Sequence, residues 1–210
     1  MIMNPTARKF ALTAHITFSV GWLGAVAGFL VLALAGLYSQ DNQMVRSAYI
    51  TMDLIAWYVI VPASLLALLT GLIQSLGTKW GLFRHYWIIV KLFLTVGSTI
   101  LLLLHMQLIT KMAEVASHKI LSSTDLRGLR IQLTADAAAA IFVLLITIAL
   151  SVYKPWGQTG YGRKNKLQHE KSANNPGNLK ASKTYIIIIG LIALLMLFII
   201  MHLAGGGLHH

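Results

Sequence analysis

The chain has 210 residues, of which 57% are hydrophobic and only 11% are charged. A soluble globular domain carries about a quarter charged residues, so this composition indicates an integral membrane protein. The net charge of +11 does not predict nucleic-acid binding, because the basic residues cluster beside apolar segments, where they set topology. The chain contains no cysteine, which excludes disulfides, Cys-ligated zinc and thiolate-bound iron–sulfur clusters.

The apolar segments predict an all-α, polytopic membrane protein. A membrane-spanning helix needs about 20 mostly apolar residues, and five segments meet or nearly meet that length: 10–38, 54–76, 86–109, 135–153 and 184–204. We expect a four-helix transmembrane bundle over 1–153, a basic cytoplasmic linker over 154–183, and a fifth, peripheral transmembrane helix with an outer tail over 184–210. Pro62 should kink the second helix, and Ser122, Ser123, Thr124 and Asp125 are candidate N-caps for the fourth.

The distribution of charge predicts the orientation. With the N-terminus inside, the inner segments contain one acidic residue, Glu170, and eleven basic residues. The basic residues are Arg8, Lys9, Lys79, Arg84, Lys154, Arg163, Lys164, Lys166, Lys171, Lys180 and Lys183. The outer loops contain five basic and five acidic residues: Arg46, Lys111, Lys119, Arg127, Arg130, Asp41, Asp53, Glu114, Asp125 and Asp136. An excess of Lys and Arg marks cytoplasmic loops, so we expect a cytoplasmic N-terminus and an outer C-terminus.

Four ionisable side chains interrupt the apolar segments or lie at their ends: His15, Lys91, His105 and His202. A lysine at mid-span costs roughly 2.5 to 3.5 kcal/mol on insertion scales, so it requires a partner or a cavity. Imidazole is a common ligand of haem iron and of copper. The pattern therefore indicates a membrane protein that holds a cofactor or a metal ion.

The depth of these residues suggests two pairs. His15 and Lys91 both lie one to two turns from the cytoplasmic side, whereas His105 and His202 lie near the outer side. Lys91 and His105 are 14 positions apart, about 21 Å of helical rise and nearly four turns, so they face a common direction. Two histidines on facing helices suit six-coordinate haem, and copper could use the same histidines with Met106 or Met201.

These residues could also have structural roles that require no cofactor. Lys91 could extend its charge to the inner interface, and His202 could be an interfacial histidine at a helix C-terminus. Gly24 and Gly28 form a G-x-x-x-G pair on the first helix, which suits either close helix packing or a planar macrocycle. Asp53 and Asp136 should cap the second and fourth spans at the outer surface, where either could orient a histidine or simply end its helix.

Three short stretches carry a family resemblance: His15 with VGWLGAVAG, LLTGL at 68–72 with YWIIVKLFL at 86–94, and SVYKPWG at 151–157. They resemble the CopD-like superfamily of small bacterial membrane proteins, which includes the HemJ-type protoporphyrinogen oxidases. The resemblance covers roughly 10–160 and implies the bacterial cytoplasmic (inner) membrane. HemJ-type proteins bind b-type haem and have a helix-one histidine and a helix-three lysine, which His15 and Lys91 match.

These observations predict a b-type haem protein with a redox or electron-transfer role, working with a quinone or a redox partner protein. If it is an enzyme, we expect a haem-dependent membrane oxidoreductase. The cofactor-binding residues would be His15, Lys91, His105, His202, Gly24 and Gly28, with His105, His202 and His15 as metal ligands. The alternatives are copper transport or resistance, which CopD-type relatives suggest, and a cofactor-free structural subunit of an oligomer or membrane complex.

Overall fold

The computed structural model describes residues 3–78, 82–118 and 126–160. These residues form α1 (Pro5–Tyr38), α2 (Asn42–Ile55), a π-helix (Ala56–Ile60), α3 (Val61–Gly77), α4 (Tyr86–His118) and α5 (Arg127–Tyr153). Because α2, the π-helix and α3 follow without a break, they form one continuous rod. Four rods are thus long and apolar enough to cross a membrane: α1, the composite rod Asn42–Gly77, α4 and α5. The predicted fifth span at 184–204 lies outside the described residues.

The helices are longer than the apolar segments that predicted them, because polar residues extend the composite rod, α4 and α5 at the end of the bundle away from Pro5. The side chain of Asp41 accepts a hydrogen bond from the backbone N–H of Gln43, so the composite rod begins at Asn42 rather than near residue 54. Asp53 and Asp136 consequently lie inside helices, and the prediction that they cap spans was wrong. The candidate caps Ser122 to Asp125 lie outside the described residues.

The second rod departs from a regular α-helix next to Pro62. Proline lacks an N–H, and its ring clashes with the carbonyl four residues earlier, so a regular α-helix cannot pass through it unchanged. The π-helix Ala56–Ile60 ends just before Pro62, and the backbone N–H of Val61 donates to the carbonyl of Ala56, five residues back. A short π-helical turn, in which hydrogen bonds span five residues rather than four, is a known way for a long helix to accommodate an irregular position.

The four rods pack as a closed bundle. α1 contacts the composite rod and α5, and α4 contacts the same two rods. Within the described residues, α1 has no backbone approach to α4, and the composite rod has none to α5. Each of these pairs therefore lies on a diagonal, and only side chains can join its members across the centre. The prediction of a four-helix bundle is confirmed for this part of the chain.

Two sequence-based assignments change in the fold. Arg130, placed in an outer loop by the charge count, lies inside α5 and is only 1% exposed. The first residues of the predicted linker, 154–160, are held against the segment that precedes α4. Thr159 donates from its backbone N–H to the Arg84 carbonyl at 2.9 Å and from its hydroxyl to the Phe83 carbonyl at 2.7 Å. The remainder of the linker lies outside the described residues.

Candidate functional site

A half-open cavity of about 1050 Å³ lies between the helices at the end of the bundle where the chain begins, and exposed residues such as Ile16, Val20 and Val152 form part of its rim. All four rods line it, through the first half of α1, the end of α3, the start of α4 and the end of α5. Cofactor sites in helical bundles are built in this way, from side chains that project inward from facing helices. Its volume lies at the upper limit of typical small-molecule pockets, which run from roughly 300 to 1,000 Å³.

His15 of α1 lines this cavity, and its hydrogen bonds define the tautomer of its ring. Its Nδ1 is 3.0 Å from the carbonyl oxygen of Ala67 and 3.2 Å from the hydroxyl oxygen of Thr70, both on α3. Because a carbonyl can only accept, Nδ1 must carry the proton and donate. The Thr70 hydroxyl donates its own proton to the Leu66 carbonyl at 2.6 Å and so can accept from His15 as well. The Nε2 lone pair of His15 is therefore left for a second partner.

That second partner is Lys91 of α4, whose Nζ lies 3.1 Å from Nε2 of His15. The ammonium donates and the imidazole accepts, across the diagonal of the bundle where the two backbones do not touch. The predicted depth match of these two residues is confirmed by this contact. In the described part of the chain, Lys91 has no carboxylate within ion-pair distance, so its charge is not neutralised by the protein residues around it.

The charged residues around the cavity are all basic. Arg8, Lys9 and Lys154 line it near its opening, and Lys91 lies deeper inside. No aspartate or glutamate is among the described residues that form its wall. Between these cations the wall combines apolar side chains such as Ile88 with uncharged polar ones such as Ser19 and Thr147. The cavity therefore suits a ligand with an apolar body and one or more anionic groups.

Gly71 of α3 lets His15 approach the helix backbone closely. A Cβ atom at Gly71 would lie 3.1 Å from Cε1 of the His15 ring, closer than most real Cβ contacts. Gly71, Ala67 and Thr70 thus position the histidine, although none was predicted as a site residue. The LLTGL stretch contained the signal, since a threonine next to a glycine is a natural place for a helix to accept a polar side chain from a neighbour.

His105 lies in a different environment, towards the opposite end of α4. Its Nδ1 lies within hydrogen-bond distance of the Leu101 carbonyl, and its Nε2 is 3.5 Å from Oδ2 of Asp136 on α5. Asp136 thus accompanies His105, and orienting a histidine was one of the two roles considered for it. Both ring nitrogens face protein acceptors, which favours a histidine–carboxylate pair over ligation by His105. Its predicted partner His202 lies outside the described residues.

The G-x-x-x-G pair points away from the cavity. Gly24 and Gly28 are exposed on α1, and within the described residues nothing lies within 4 Å of a Cβ built at either position. The buried face of α1 contains larger residues instead, including Trp22 and Phe29. Of the six predicted cofactor-binding residues, the structure therefore brings two together, His15 and Lys91.

No family model, curated protein or solved structure matches this chain. The resemblance to the CopD-like superfamily thus remains a prediction from short motifs. The described residues also contain no group of three or more His, Cys, Asp or Glu side chains that could hold a metal ion. Any functional assignment must therefore be argued from the chemistry of the His15–Lys91 cavity itself.

Proposed function

We propose that the protein binds haem b in the His15–Lys91 cavity and serves as a redox protein of the membrane. One observation carries this proposal. The Nδ1–H of His15 is fixed on the Ala67 carbonyl, so the Nε2 lone pair is left for a second partner in the half-open cavity that His15 lines. Histidines that bind a metal usually donate the other ring N–H to a carbonyl or carboxylate, which sets the tautomer and the ring orientation.

The number of available ligands favours haem over a bare copper ion. The porphyrin supplies four nitrogen ligands itself, so the protein needs to add only one or two axial side chains. A copper ion would take its ligands from the protein, and softer ligands such as Cys or Met favour its reduced form. The described residues that line the cavity include two imidazoles, those of His15 and His85, and no methionine or cysteine, and the cationic lining opposes a bare cation.

The basic residues of the cavity match the anionic part of haem. Haem b carries two carboxylate side chains on an apolar ring, and Arg8, Lys9 and Lys154 lie where such groups would meet the opening. Lys91 and a bound iron would compete for the same lone pair of His15, so Lys91 has to turn aside on binding. Its flexible four-carbon stem permits this, and its ammonium would remain in the cavity as a partner for an acidic group.

When bound, haem would supply a one-electron couple at the edge of the bilayer. His15 would hold the iron, Ala67 and Thr70 would fix the ring of His15, and the apolar side chains of the wall would limit access of water. The electron partner we propose is a quinone or a redox protein, in keeping with a cofactor inside the membrane.

We further propose that the cavity opens to the cytoplasm of a bacterial cell. The four apolar rods indicate a multi-pass membrane protein, and the excess of basic residues at the N-terminal end of the bundle supports the orientation. Arg8, Lys9, Arg84 and Lys154 all lie at this end. Reporter fusions at residues 40 and 160 should respond as outer and inner positions, respectively.

A haem titration of the detergent-purified protein tests the assignment. Wild type should bind one haem per chain with a Soret band that saturates, whereas His15→Ala should lose affinity by at least about tenfold, the lower end of the effect of disturbing a metal site. His118→Ala is the matched control, because His118 is exposed at the far end of α4 and should titrate like wild type. Identical titrations of the two variants would contradict the proposal.

A further inference from the structure

Arg130 and Tyr49 form a second polar cluster, at the end of the bundle opposite the cavity. Each side chain is only 1% exposed. Arg130 is on α5 and Tyr49 on α2, so the pair crosses the other diagonal of the bundle, where the two backbones do not meet. The guanidinium carbon lies 5.7 Å from the centre of the Tyr49 ring, a cation–π contact.

The ring of Tyr49 is fixed between this guanidinium and α1. A Cβ atom at Gly36 of α1 would lie 2.7 Å from Cζ and 2.9 Å from the hydroxyl oxygen of Tyr49. The glycine therefore gives the ring the space it occupies. This packing sets the position of the Tyr49 hydroxyl as well as that of the ring.

Three donors of this cluster have no acceptor. Within the described part of the chain, Nε and Nη2 of Arg130 and the hydroxyl of Tyr49 are buried and make no hydrogen bond. Arginine remains protonated in proteins, and a buried charge without a partner is strongly unfavourable. Among the described residues, neither Asp136 nor Asp53 forms an ion pair with Arg130: Asp136 Oδ2 lies 3.5 Å from His105 Nε2, and Asp53 accepts from Thr110.

The pattern of the open donors indicates the chemistry of the ligand. Nε and Nη2 lie on one edge of the planar guanidinium, and their N–H bonds run nearly parallel. Such a fork matches the two oxygens of a carboxylate. We propose that Arg130 and Tyr49 bind the carboxylate group of a small acid, with two hydrogen bonds from the guanidinium edge and one from the tyrosine hydroxyl.

This site is independent of the haem site. Arg130 lies three residues after the start of α5, whereas the cavity is lined by the last part of that helix. A ligand therefore reaches Arg130 from the opposite end of the bundle. Because the guanidinium edge is buried, binding displaces neighbouring side chains slightly, which favours a compact group. The carboxylate could come from a free small acid or from the head of a fatty acid.

Equilibrium dialysis of radiolabelled acetate against the purified wild-type protein, at constant ionic strength in chloride buffer, tests the proposal. We expect one saturable site per chain, and parallel dialysis with decanoate tells a free small acid from a fatty-acid head. Arg130→Lys keeps the charge but loses the fork, and it should weaken binding by at least about tenfold. Tyr49→Phe removes one donor and should weaken binding by about three- to tenfold.

Arg127→Lys is the matched control, since Arg127 lies one turn earlier on the same helix and is exposed. It should bind both acids like wild type. Failure of wild type to bind either acid would overturn the proposal, and so would equal binding by the Arg130→Lys and Arg127→Lys variants. The wild-type and Tyr49→Phe measurements keep the test decisive if Arg130→Lys does not fold.

Discussion

Lys91 Nζ lies 3.1 Å from His15 Nε2, and this contact joins two helices whose backbones do not touch. His15 is held on its other side by the Ala67 carbonyl. The imidazole therefore bridges α3 and α4 through its two nitrogens while belonging to α1. Since an incoming metal would replace Lys91 at Nε2, the contact links the packing of the bundle to the binding chemistry proposed for the cavity.

The roles of His15 and Lys91 should separate when Lys91 is replaced. In Lys91→Leu the cavity loses an ammonium but keeps the histidine and gains no new iron ligand, so the Soret maximum should stay unchanged. The affinity for haem should fall, by roughly three- to tenfold for one partly buried charge pair, and its dependence on salt should weaken. A haem titration at low and high salt measures both. A shifted Soret band would instead make Lys91 an iron ligand.

Gly71→Ala should disturb the site without touching its polar atoms. The added methyl would lie 3.1 Å from Cε1 of His15, so we expect the ring to shift by a few tenths of an ångström from its position between the Ala67 carbonyl and Lys91. We expect weaker haem binding together with a broadened or shifted Soret band, because ring orientation tunes the ligand. Gly24→Ala and Gly28→Ala are the controls, since no atom of the described residues lies within 4 Å of a Cβ at either position. If either had the effect expected of Gly71→Ala, steric contact with His15 would not be the cause.

Much of the fold follows from the sequence. The four spans emerge from apolar length alone, because the bilayer requires about 20 apolar residues per helix. The full length of the helices does not follow from the sequence, because residues 42–53 and 127–134 are too polar to be recognised by hydrophobicity. They join their helices through capping and packing. Pro62 predicts an irregularity in the second helix, but whether that irregularity becomes a π-helix depends on how the rod packs.

The candidate site was predicted only in part. Helical rise alone placed His15 and Lys91 at a similar depth. The direction in which a side chain faces also depends on how each helix is rotated in the bundle, which one sequence does not specify. For that reason Gly24 and Gly28 were expected at the site and lie outside it. Arg130 was counted as a loop residue, although it is buried between diagonal helices.

Gly36→Ala should destabilise the protein by roughly 1–3 kcal/mol, the usual effect of overpacking a well-packed core. The new methyl would overlap the Tyr49 ring, with Cζ at 2.7 Å. The comparison is Gly28→Ala, which is exposed on the same helix and should be neutral or slightly stabilising, because alanine is the better helix former. Unfolding in detergent, followed by circular dichroism, gives both values. Equal stability of the two variants would show that α2 can shift to make room.

Replacing His105 should leave the haem spectrum unchanged. Its ring nitrogens face the Leu101 carbonyl and Asp136 rather than the cavity. We expect His105→Gln to lower the free energy of unfolding by about 0.5–1.5 kcal/mol, the usual range for one hydrogen bond, with no change in the Soret band. Optical and unfolding measurements on one preparation check both points. Loss of the Soret band in a folded His105→Gln protein would restore His105 as a ligand.

The most direct test of the central claim is the optical spectrum of wild type and His15→Ala, purified in mild detergent and recorded oxidised and after dithionite reduction. The account predicts a Soret band with sharp reduced α and β bands in wild type, a haem-to-protein ratio near one, and loss of these bands in His15→Ala. A colourless wild-type protein, or one that carries stoichiometric copper instead, would contradict it. Unchanged bands in His15→Ala would equally remove His15 from the site.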